Sequence, residues 1–521
     1  MNFALTQSLA SQLKQAAIPF ETRGKFPPCL FVSETAWAPV AKISQQEGLR
    51  LVAEWASEEK GVFTIHAAYA LGALGYALVA TQLRQGVEEF SSLVPHYSVA
   101  ARMERIIHDF YGLTPLGHPD LRRWIKHDSW PENAFPLRKG FALNVPLERQ
   151  EGSYPFIETD GEGSYEIPVG PVHAGIIEPG HFRFQVVGEQ ILNLEERLGY
   201  VHKGIEKHFE NQDAVSAARM AARISGDATV AHSWAYCLAA EQAVGRVVSP
   251  RAAHLRAVLC ERERMANHIG DIGAICNDAA WAFMQMQCQR LREDLARLHQ
   301  KLFGHRLLMD VVVPGGVTRD LDRDGTARLR NQTQAVAGEM KELFGIYEEQ
   351  TSIRDRVIGS GGISAQNAQT LGLLGVVGRS AEQDLDARRD AAYSPYDQCP
   401  PQVKVCRGGD VSARLWIRFQ EIQDSARLIE KLLVDLPEGS FQEPFKEPGE
   451  GSWGFAVVES WRGEIATWIR FGSGGKIQRC YVRDPSMINW LGLELAVQEV
   501  PVPDFPLNNK SFNCSYSGHD L

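Results

Sequence analysis

Thiol groups are the first side chains to test for chemistry, because a thiolate can bind a transition metal or form a disulfide. The chain contains nine cysteines, at positions 29, 237, 260, 276, 288, 399, 406, 480 and 514. They form no C-x-x-C pair and no Cys/His array with the spacing of a zinc site. We therefore expect buried thiols, with neither a disulfide framework nor a metal site built on them.

The composition places these residues in an ordinary globular protein. The chain has 521 residues, of which 44% are hydrophobic and 23% charged, and its formal net charge is -10. An acidic chain is not a general nucleic-acid binder, and no solenoid repeat or low-complexity run is present. The length leaves room for two or three domains.

The sequence predicts an α+β fold in two unequal parts. Residues 1–145 mix short helical and strand patterns and indicate a small α+β domain. Residues 146–168 are rich in Glu, Gly, Ser and Pro and are predicted to be a linker. Residues 169–521 are predicted to be mainly helical, with a small antiparallel sheet.

Periodicity locates the main elements of the larger part. Apolar residues recur every three or four positions from about Gly188 to Leu302, with Pro250 at a helix start, and again over 326–350 and 410–436. Residues 452–484 alternate like a hairpin with a glycine-rich turn at 472–475.

One uncharged stretch, residues 61–83, is about long enough to span a bilayer. It contains His66, Thr64 and three glycines, so two strands joined by a turn are the better interpretation. The N-terminus is amphipathic but polar and does not resemble a secretory signal. We therefore expect a cytoplasmic protein.

Two motifs in the first part, RMERIIHDFYGLTPLGHPDLRRW at 102–124 and WPENAFPLRKGF at 130–141, resemble the small hydrophilic docking subunit of respiratory complex I. We expect Gly112 to close a helix and the basic residues to remain free for an acidic partner surface. The matching positions are Asp109, Gly112, Gly117, His118, Pro119, Asp120, Leu121, Pro136, Leu137, Arg138 and Lys139.

The larger part resembles the large subunit shared by membrane-bound nickel-iron hydrogenases and the quinone-site subunit of complex I. The motifs are GPVHAGIIEPGHFRF, YVHKGIEKHFE, ARISGDATVAHSWAYC and GHRLLMDVVVPGGVTRD, in that order. Their fusion to the docking domain most resembles the large subunit of hydrogenase-4 and formate hydrogenlyase type complexes. This resemblance implies a partner small subunit with a four-iron four-sulfur cluster and a set of membrane-arm subunits.

The family's nickel-iron centre is held by four thiolates from two Cys-x-x-Cys motifs. Aligned to these motifs, this sequence has Ser225 and Ala228 in the first, and Ser515 and Gly518 in the second. Cys514 lies one residue out of register. Because hydroxyls cannot replace thiolates in such a centre, we expect that this chain binds no nickel-iron centre and no other metal.

The remaining polar groups could serve another reaction in the emptied cavity around Ser225 and Ser515. By resemblance, His173, Glu178, Arg223, Asp227 and His232 are the candidate catalytic residues. Glu178 is expected either to relay protons, as a carboxylate in an apolar cavity can, or to form a salt bridge with Arg183 or another base. Gly226 stands where the quinone-site subunit has a tyrosine, so its quinone chemistry is not carried over intact.

The segment YVHKGIEKHFE matches the part of the family that lies near the partner's iron-sulfur cluster. His202, Lys203 and Glu206 are therefore expected to lie beside that cluster, where positive charge would raise its reduction potential. The alternative is a solvated amphipathic helix face.

Two functions follow from this resemblance. In the first, the chain is an oxidoreductase subunit of the NADH-quinone oxidoreductase or hydrogenase type, without hydrogenase activity, whose cavity reduces a quinone-like or other organic acceptor. In the second, it is a non-catalytic coupling scaffold of the same complex. In both, we expect it on the cytoplasmic face of the inner membrane, held there by partner subunits.

The loss of all four ligands predicts that the purified chain contains no stoichiometric nickel and evolves no hydrogen. Elemental analysis with a hydrogen-evolution assay checks this expectation. A stoichiometric nickel content would contradict it.

Overall fold

The computed structural model describes residues 2–24, 26–175 and 177–521. Strands and helices alternate in the first part of the chain, and helices dominate the second. The strands are β1 Phe20–Arg23, β2 Cys29–Val32, β3 Arg50–Glu59, β4 Val62–Ala70, β5 Tyr76–Gln82, β6 Glu89–Ser91, β7 Thr114–Leu116, β8 Ser164–Val169, β9 His181–Val187, β10 Gln190–Arg197, β11 Val312–Val313, β12 Gly316–Val317, β13 Trp453–Ser460, β14 Gly463–Phe471 and β15 Ile477–Arg483. The helices are α1 Ala4–Gln15, α2 Trp37–Gln46, α3 Ala100–Tyr111, α4 Ile205–His208, α5 Ala214–Ala221, α6 Thr229–Ala243, α7 Pro250–Asp278, α8 Ala282–Phe303, α9 Arg323–Glu349, α10 Thr351–Val357, α11 Ala365–Leu371, α12 Gly375–Ser380, α13 Ala387–Asp390, α14 Val411–Val434, α15 Ser486–Ala496, α16 Phe505–Phe512 and α17 Tyr516–Asp520.

The first part is built on a five-stranded sheet with the order β1-β2-β5-β4-β3. Strands β2 and β5 are parallel, and the other neighbours are antiparallel. The uncharged stretch at 61–83 forms β4 and β5, as predicted, so it lies inside this sheet. No helix in the described part of the chain is both long enough and apolar enough to cross a membrane.

Helix α3 ends where the docking motif predicts. Gly112 has a φ of 70° and follows the last helical residue. A Cβ at this position would lie 2.6 Å from the ring of Phe135, so both the backbone conformation and the close approach require glycine. Just beyond, the backbone N–H groups of Trp124, Ile125 and Lys126 donate to the buried Asp109 carboxylate at 2.7 to 3.1 Å.

The basic residues of the docking motif are engaged inside the chain, so the expectation that they stay free is wrong. Arg138 donates from Nε to the Tyr111 carbonyl at 2.6 Å and pairs with Glu88 at 2.9 Å. Lys139 pairs with Glu210 at 2.6 Å. Arg138 is therefore used within the first part of the chain, whereas Lys139 fastens the first part to the second.

The two parts also share an apolar core. On one face of the first sheet, Trp55 stacks on Tyr481 with ring centroids 4.9 Å apart and on Phe455 at 6.2 Å. The three-stranded antiparallel sheet β13-β14-β15 supplies these partners, and the glycine-rich turn lies between β14 and β15 as predicted. Arg50 of β3 pairs with Glu464 of β14 at 2.8 Å.

The larger part is organised around α7, a 29-residue helix that packs against α8 and α14. Its start follows the predicted pattern, because Ser249 caps it by accepting from the Ala252 N–H and Pro250 occupies its first position. The helical region was expected to begin near Gly188. Instead, β8, β9 and β10 form an antiparallel sheet at this point.

The predicted linker is mostly irregular, but its end is not. Residues 141–163 contain no helix or strand, and residues 164–168 already belong to β8. Irregular, exposed backbone is the substrate that proteases prefer.

We expect trypsin to cut the native chain after the exposed Arg149. Because both parts share a core, the two fragments should stay together on a native gel and separate only in denaturant. Limited proteolysis analysed on native and denaturing gels checks this. A first cut outside residues 146–163 would contradict it.

Candidate functional site

The positions that carry thiolates in the family come together in this fold. Ser225 lies between α5 and α6, and Ser515 precedes α17 near the C-terminus. Their Oγ atoms are 2.9 Å apart, at hydrogen-bond distance. The Ser515 hydroxyl also accepts from the Gly518 N–H at 2.9 Å, as the N-cap of α17.

A bidentate ion pair forms one wall of the site. Arg462, in the turn between β13 and β14, donates to both carboxylate oxygens of Asp227 at 2.7 and 2.6 Å. The Ser225 hydroxyl donates to the same carboxylate at 2.8 Å. Burial would raise the pKa of Asp227, but Arg462 and these hydrogen bonds hold that pKa below its ordinary value.

These groups border a cavity of about 290 Å³, which we call the serine cavity. Its lining is mainly polar. The residues are Ile177, Glu178, Ser225, Gly226, Asp227, Arg462, Lys510, Asn513, Cys514, Ser515, Tyr516 and Ser517.

Glu178 reaches the serine cavity, but Arg183 is not its partner. The Glu178 side chain is exposed, and its Oε2 accepts from the Ser517 N–H at 3.1 Å. Arg183 instead pairs with Glu166 at 3.2 Å. The expected salt bridge to Arg183 is therefore wrong, and Glu178 stands at the cavity with its carboxylate open to solvent.

Asp484 occupies the space beside Gly518. A Cβ built on Gly518 would lie 2.6 Å from Asp484 Oδ2. The same oxygen is 2.9 Å from His232 Nε2, and both side chains are fully buried. Burial would raise the pKa of Asp484, but its interaction with His232 and the nearby Arg462 hold that pKa at about 2.

A nickel-iron centre does not fit these residues. Two of the four ligand positions carry the hydroxyls of Ser225 and Ser515, which are hydrogen-bonded to each other. At the third position, the Ala228 side chain has no atom that could bind a metal. At the fourth position, Gly518, a carboxylate fills the space that a ligand side chain needs. Burial also raises the pKa of the Cys514 thiol well above its ordinary value, which disfavours the thiolate. Within the described residues, no cluster of three His, Cys, Asp or Glu side chains is arranged to hold a metal ion.

Three of the predicted catalytic residues, His173, Arg223 and His232, do not line the cavity, and His232 is fully buried against Asp484. Arg223 pairs instead with Asp310, with Nη2 to Oδ2 at 2.7 Å, so the expectation that it lies in the cavity as a catalytic residue is wrong. His173 bonds the Gly180 carbonyl at 2.8 Å and holds the loop that carries Glu178.

His202, Lys203 and Glu206 are engaged with the protein rather than grouped as free charges. His202 Nδ1 lies 2.7 Å from the Asp520 carbonyl, and Lys203 donates to the Ile224 carbonyl at 2.9 Å. Burial lowers the pKa of both side chains. The buried Glu206 pairs with Arg479 at 3.1 Å. Their place beside a partner cluster remains a prediction.

Arg462, Asp484 and Lys510 are site residues that the sequence did not single out as such. Arg462 gave a weak signal, since the segment ESWRGEIATW that contains it resembles a segment of the family. Asp484 and Lys510 gave none, because their role depends on how the C-terminal segment folds back.

Behind the cavity, ionisable groups continue into the interior along α7. Asn513 donates to Asp271 at 2.6 Å, and Asp271 accepts from Arg418 at 2.9 Å. One turn earlier, His268 bonds Glu421 at 2.8 Å. Buried charges persist only when paired, and these pairs fix α14 and the C-terminal segment against α7.

Comparisons with known proteins agree with the fold. The family "Respiratory-chain NADH dehydrogenase, 30 Kd subunit" matches residues 30–146, and "Respiratory-chain NADH dehydrogenase, 49 Kd subunit" matches residues 271–450. The chain is also similar in fold to a chain of a membrane-bound sulfane sulfur reductase, an archaeal respiratory membrane complex. That match has a TM-score of 0.65 and 22% identity, and it covers 70% of this chain and all of the other.

Among relatives, formate hydrogenlyase subunit 5 of Escherichia coli K12 is 32% identical over 439 residues, covering 83% of this chain and 77% of the relative. Hydrogenase-4 component G of the same strain is 32% identical over 438 residues, covering 83% and 76%. NADH-quinone oxidoreductase subunit 4 of Thermus thermophilus is 27% identical over 395 residues, covering 71% and 96%.

The fold and these comparisons thus define an oxidoreductase-family subunit of respiratory complexes related to complex I and to hydrogenases. Within that class, the chain belongs to the family of fused large subunits that includes formate hydrogenlyase subunit 5 and hydrogenase-4 component G. The resemblance drawn from the sequence motifs is confirmed.

The depressed pKa of Asp484 predicts a contribution to stability that depends on pH. An aspartate has a pKa of about 3.9 when unfolded. The contribution is therefore present above that pH and is lost as the pH falls toward the folded pKa of about 2. Between pH 5 and pH 3 the loss amounts to about 1 kcal/mol.

Between pH 5 and pH 3, the free energy of unfolding of Asp484→Asn should fall by about 1 kcal/mol less than that of the wild-type chain. Urea unfolding at both pH values measures the difference. Asp324→Asn, which changes an exposed aspartate on α9, serves as the matched control. Equal pH dependence of the wild-type chain and Asp484→Asn would refute this role.

Proposed function

We propose that this chain is the electron-transfer subunit of a membrane-anchored respiratory complex and that its serine cavity accepts a quinone-like or other small organic molecule instead of a nickel-iron centre. The observation that supports this proposal is the set of residues that line the cavity. The family's ligand positions hold Ser225, Ala228, Ser515 and Gly518, yet the cavity stays open and keeps ionisable groups of both signs.

The cations of the cavity suit an acceptor that gains negative charge. Arg462 and Lys510 both line it, and because Arg462 is already paired with Asp227, Lys510 is the cation that would stabilise a carbonyl oxygen as electrons arrive. Reduction of a quinone-like molecule takes two electrons and two protons and gives two hydroxyl groups. The electrons come from the iron-sulfur cluster of the partner small subunit.

Glu178 is suited to deliver the protons. Its side chain is exposed and lies at the cavity, so it can exchange protons with solvent on one side and with a bound acceptor on the other. The Ser517 N–H holds one carboxylate oxygen, which leaves the second oxygen free to carry the proton.

The relatives support the assembly that this function requires. Their names describe subunits of formate hydrogenlyase, hydrogenase-4 and NADH-quinone oxidoreductase, and the structural neighbour is part of a respiratory membrane complex. We therefore propose an iron-sulfur small subunit and membrane-arm subunits as partners. The chain would be peripheral, on the cytoplasmic face of the inner membrane.

A second candidate is a coupling scaffold without chemistry. One observation favours it: the Ser225–Ser515 hydrogen bond joins the two former ligand segments directly, and the Asn513–Asp271–Arg418 chain carries the connection into the core. Such a subunit would transmit a conformational change or protons without reducing anything. The two candidates differ in whether filling the cavity stops electron transfer.

Gly226 allows the cavity to be filled without disturbing its walls. A Cβ at Gly226 meets no atom within 4 Å, and the residue lines the cavity. Gly226→Leu should therefore block an acceptor while the complex still assembles. The measurement is reoxidation of the dithionite-reduced partner cluster by 2,3-dimethoxy-5-methyl-1,4-benzoquinone, followed by electron paramagnetic resonance.

The matched control is Gly338→Leu on the outer face of α9, where a Cβ also meets nothing. We expect reoxidation to slow at least about tenfold in Gly226→Leu and to be unchanged in Gly338→Leu. Normal reoxidation in Gly226→Leu, with assembly intact on a native gel, would favour the scaffold.

Glu178→Gln isolates the proton-carrying role. The amide oxygen can still accept from the Ser517 N–H, but the group no longer titrates. We expect acceptor reduction to fall about ten- to a hundredfold while assembly is unchanged. Glu189→Gln, at an exposed position in the turn between β9 and β10, is the control. Full turnover in Glu178→Gln would remove this residue from the mechanism.

A further inference from the structure

Two buried glutamates meet in the interior of the first part of the chain. Glu54 of β3 is 1% exposed, and Glu104 of α3 is fully buried. Helix α3 packs against β3 here, and the Glu54 N–H lies 3.2 Å from the Met103 sulfur. The side chains of Glu54 and Glu104 are hydrogen-bond partners of each other. Because a carboxylate has no donor, this contact requires a proton on one of the two carboxyl groups.

The other hydrogen bonds of the pair indicate which glutamate carries the proton. Glu104 Oε1 accepts from the Leu93 N–H at 2.5 Å, and the Ser92 hydroxyl also bonds this carboxyl group. Apart from the contact with Glu104, neither oxygen of Glu54 has a hydrogen-bond partner within residues 2–24, 26–175 and 177–521. Since donated hydrogen bonds stabilise the charged form, Glu104 is the carboxylate and Glu54 is the protonated acid.

The pair differs from other buried acids of the chain in how its charge is balanced. Asp271 is held by Arg418 at 2.9 Å, and Glu206 by Arg479 at 3.1 Å. In the described part of the chain, no basic side chain pairs with Glu54 or lowers its pKa. Burial and the negative charge of Glu104 raise the pKa of Glu54 well above its ordinary value. Two neighbouring carboxylates in the interior repel each other, so the pair retains a proton.

A small cavity lies beside Glu54, between the two parts of the chain. Its volume is about 20 Å³, which is enough for one water molecule. Tyr111 and Tyr481 also line this cavity, and their buried hydroxyls have no hydrogen-bond partner among the residues that the structure describes. A buried water needs two to four polar partners, and Glu54 with these two hydroxyls supplies three.

The titratable and charged groups that face Glu54 come from the four elements packed around it. They are Glu104 and Tyr111 of α3, Tyr69 of β4, Glu206 of α4, and Arg479 and Tyr481 of β15. Arg479 is the basic member of this set, but it bonds Glu206 and the backbone carbonyls of Ala56 and Cys480. It therefore does not neutralise a charge on Glu54.

We propose that Glu54 and Glu104 form a buried proton-binding site, in which Glu54 shares one proton with the Glu104 carboxylate and a water molecule joins Glu54 to Tyr111 and Tyr481. The water donates to the Glu54 carbonyl oxygen and accepts from the tyrosine hydroxyls. The contact between α3 and β3 then depends on pH, because loss of the proton places two negative charges side by side in the core. None of these residues lines the serine cavity, so the site goes beyond the proposed function and does not depend on it.

Infrared spectroscopy of the purified full chain at pH 7 tests the proton directly, because the C=O stretch of a protonated carboxyl group differs from that of a carboxylate. Glu54→Gln keeps the contact, since its amide N–H can donate to Glu104, but it removes the acid proton. The wild-type spectrum minus that of Glu54→Gln should contain one protonated carboxyl band that shifts in heavy water. The matched control is Glu89→Gln, at an exposed position on β6, which should leave this band unchanged.

The water is tested through the same band. Tyr481→Phe removes one hydroxyl that faces the cavity and leaves the ring in place. Because the hydrogen bond to the Glu54 carbonyl oxygen then changes, the band should shift in frequency without being lost. An unshifted band in both Tyr481→Phe and Tyr111→Phe would overturn the link through water.

Unfolding in urea measures the dependence on pH. Glutamate has a pKa of about 4.3 in the unfolded chain, and the pKa of Glu54 is raised on folding. The stabilisation is therefore complete below that pH and is lost as the pH rises toward the folded pKa. The unfolding constant of the wild-type chain should rise about tenfold per pH unit relative to that of Glu54→Gln between pH 5 and pH 7.

Two results would overturn the shared proton. One is the absence of a carboxyl band from the difference spectrum, which would show that Glu54 is ionised. The other is an equal pH dependence of unfolding in the wild-type chain and Glu54→Gln. Neither measurement involves electron transfer, so failure here leaves the proposed reduction in the serine cavity untouched.

Discussion

The ion pair between Asp227 and Arg462 holds the site together. It joins the segment before α6 to the turn between β13 and β14, and Arg462 Nε donates in addition to the Asn513 carbonyl at 2.6 Å. Three distant parts of the chain therefore meet at one guanidinium. The planar fork of arginine suits this task, because it satisfies a carboxylate and a carbonyl at the same time. Ser225 and Ser515 come within hydrogen-bond distance as part of this arrangement.

Without the four thiolates of the family, the two segments that would carry them must be held together by contacts other than a metal centre. A metal centre would tie the first and last ligand segments together. Without it, those segments need other contacts across a polar cavity. The Ser225–Ser515 hydrogen bond supplies one contact, and the fully buried Asp484–His232 pair supplies another beside Gly518. These contacts are specific and buried, and they hold the two segments together around an open cavity.

Much of the fold could be predicted from local sequence. Gly112 ends α3, Ser249 and Pro250 begin α7, and the stretch at 61–83 forms two strands, because each of these features depends on backbone preferences of a few neighbouring residues. Strand β10 was missed, since its buried residues Ile191 and Leu194, with Leu198 just after the strand, are spaced by three and four, as in a helix. The segment forms a strand because it pairs with β9, a contact that the local spacing of apolar residues does not reveal.

The candidate site was predictable only in part. The motifs located Ser225, Asp227, Ser515 and Glu178 correctly at one cavity. They could not reveal which way a long side chain points, so Arg223 was expected inside but pairs with Asp310 outside. They also could not reveal that the basic docking residues Arg138 and Lys139 are used within the chain. The ion-pair partners of these side chains are distant in the sequence, so a single sequence does not indicate which charges pair.

The hairpin of β13 and β14 joins the serine cavity to a set of buried ion pairs. Arg462 in its turn contacts the serine cavity, and Glu464 at the start of β14 pairs with Arg50 of β3. Glu459 lies directly opposite Glu464 in the strand register, and it is bound by the buried Arg379 at 2.9 Å. Burial, together with the neighbouring Asp386 charge, raises the pKa of Glu459 to about 7. A change of charge at Glu459 or Glu464 would leave a buried arginine without its partner, so the ion pairs along this hairpin support the turn that carries Arg462.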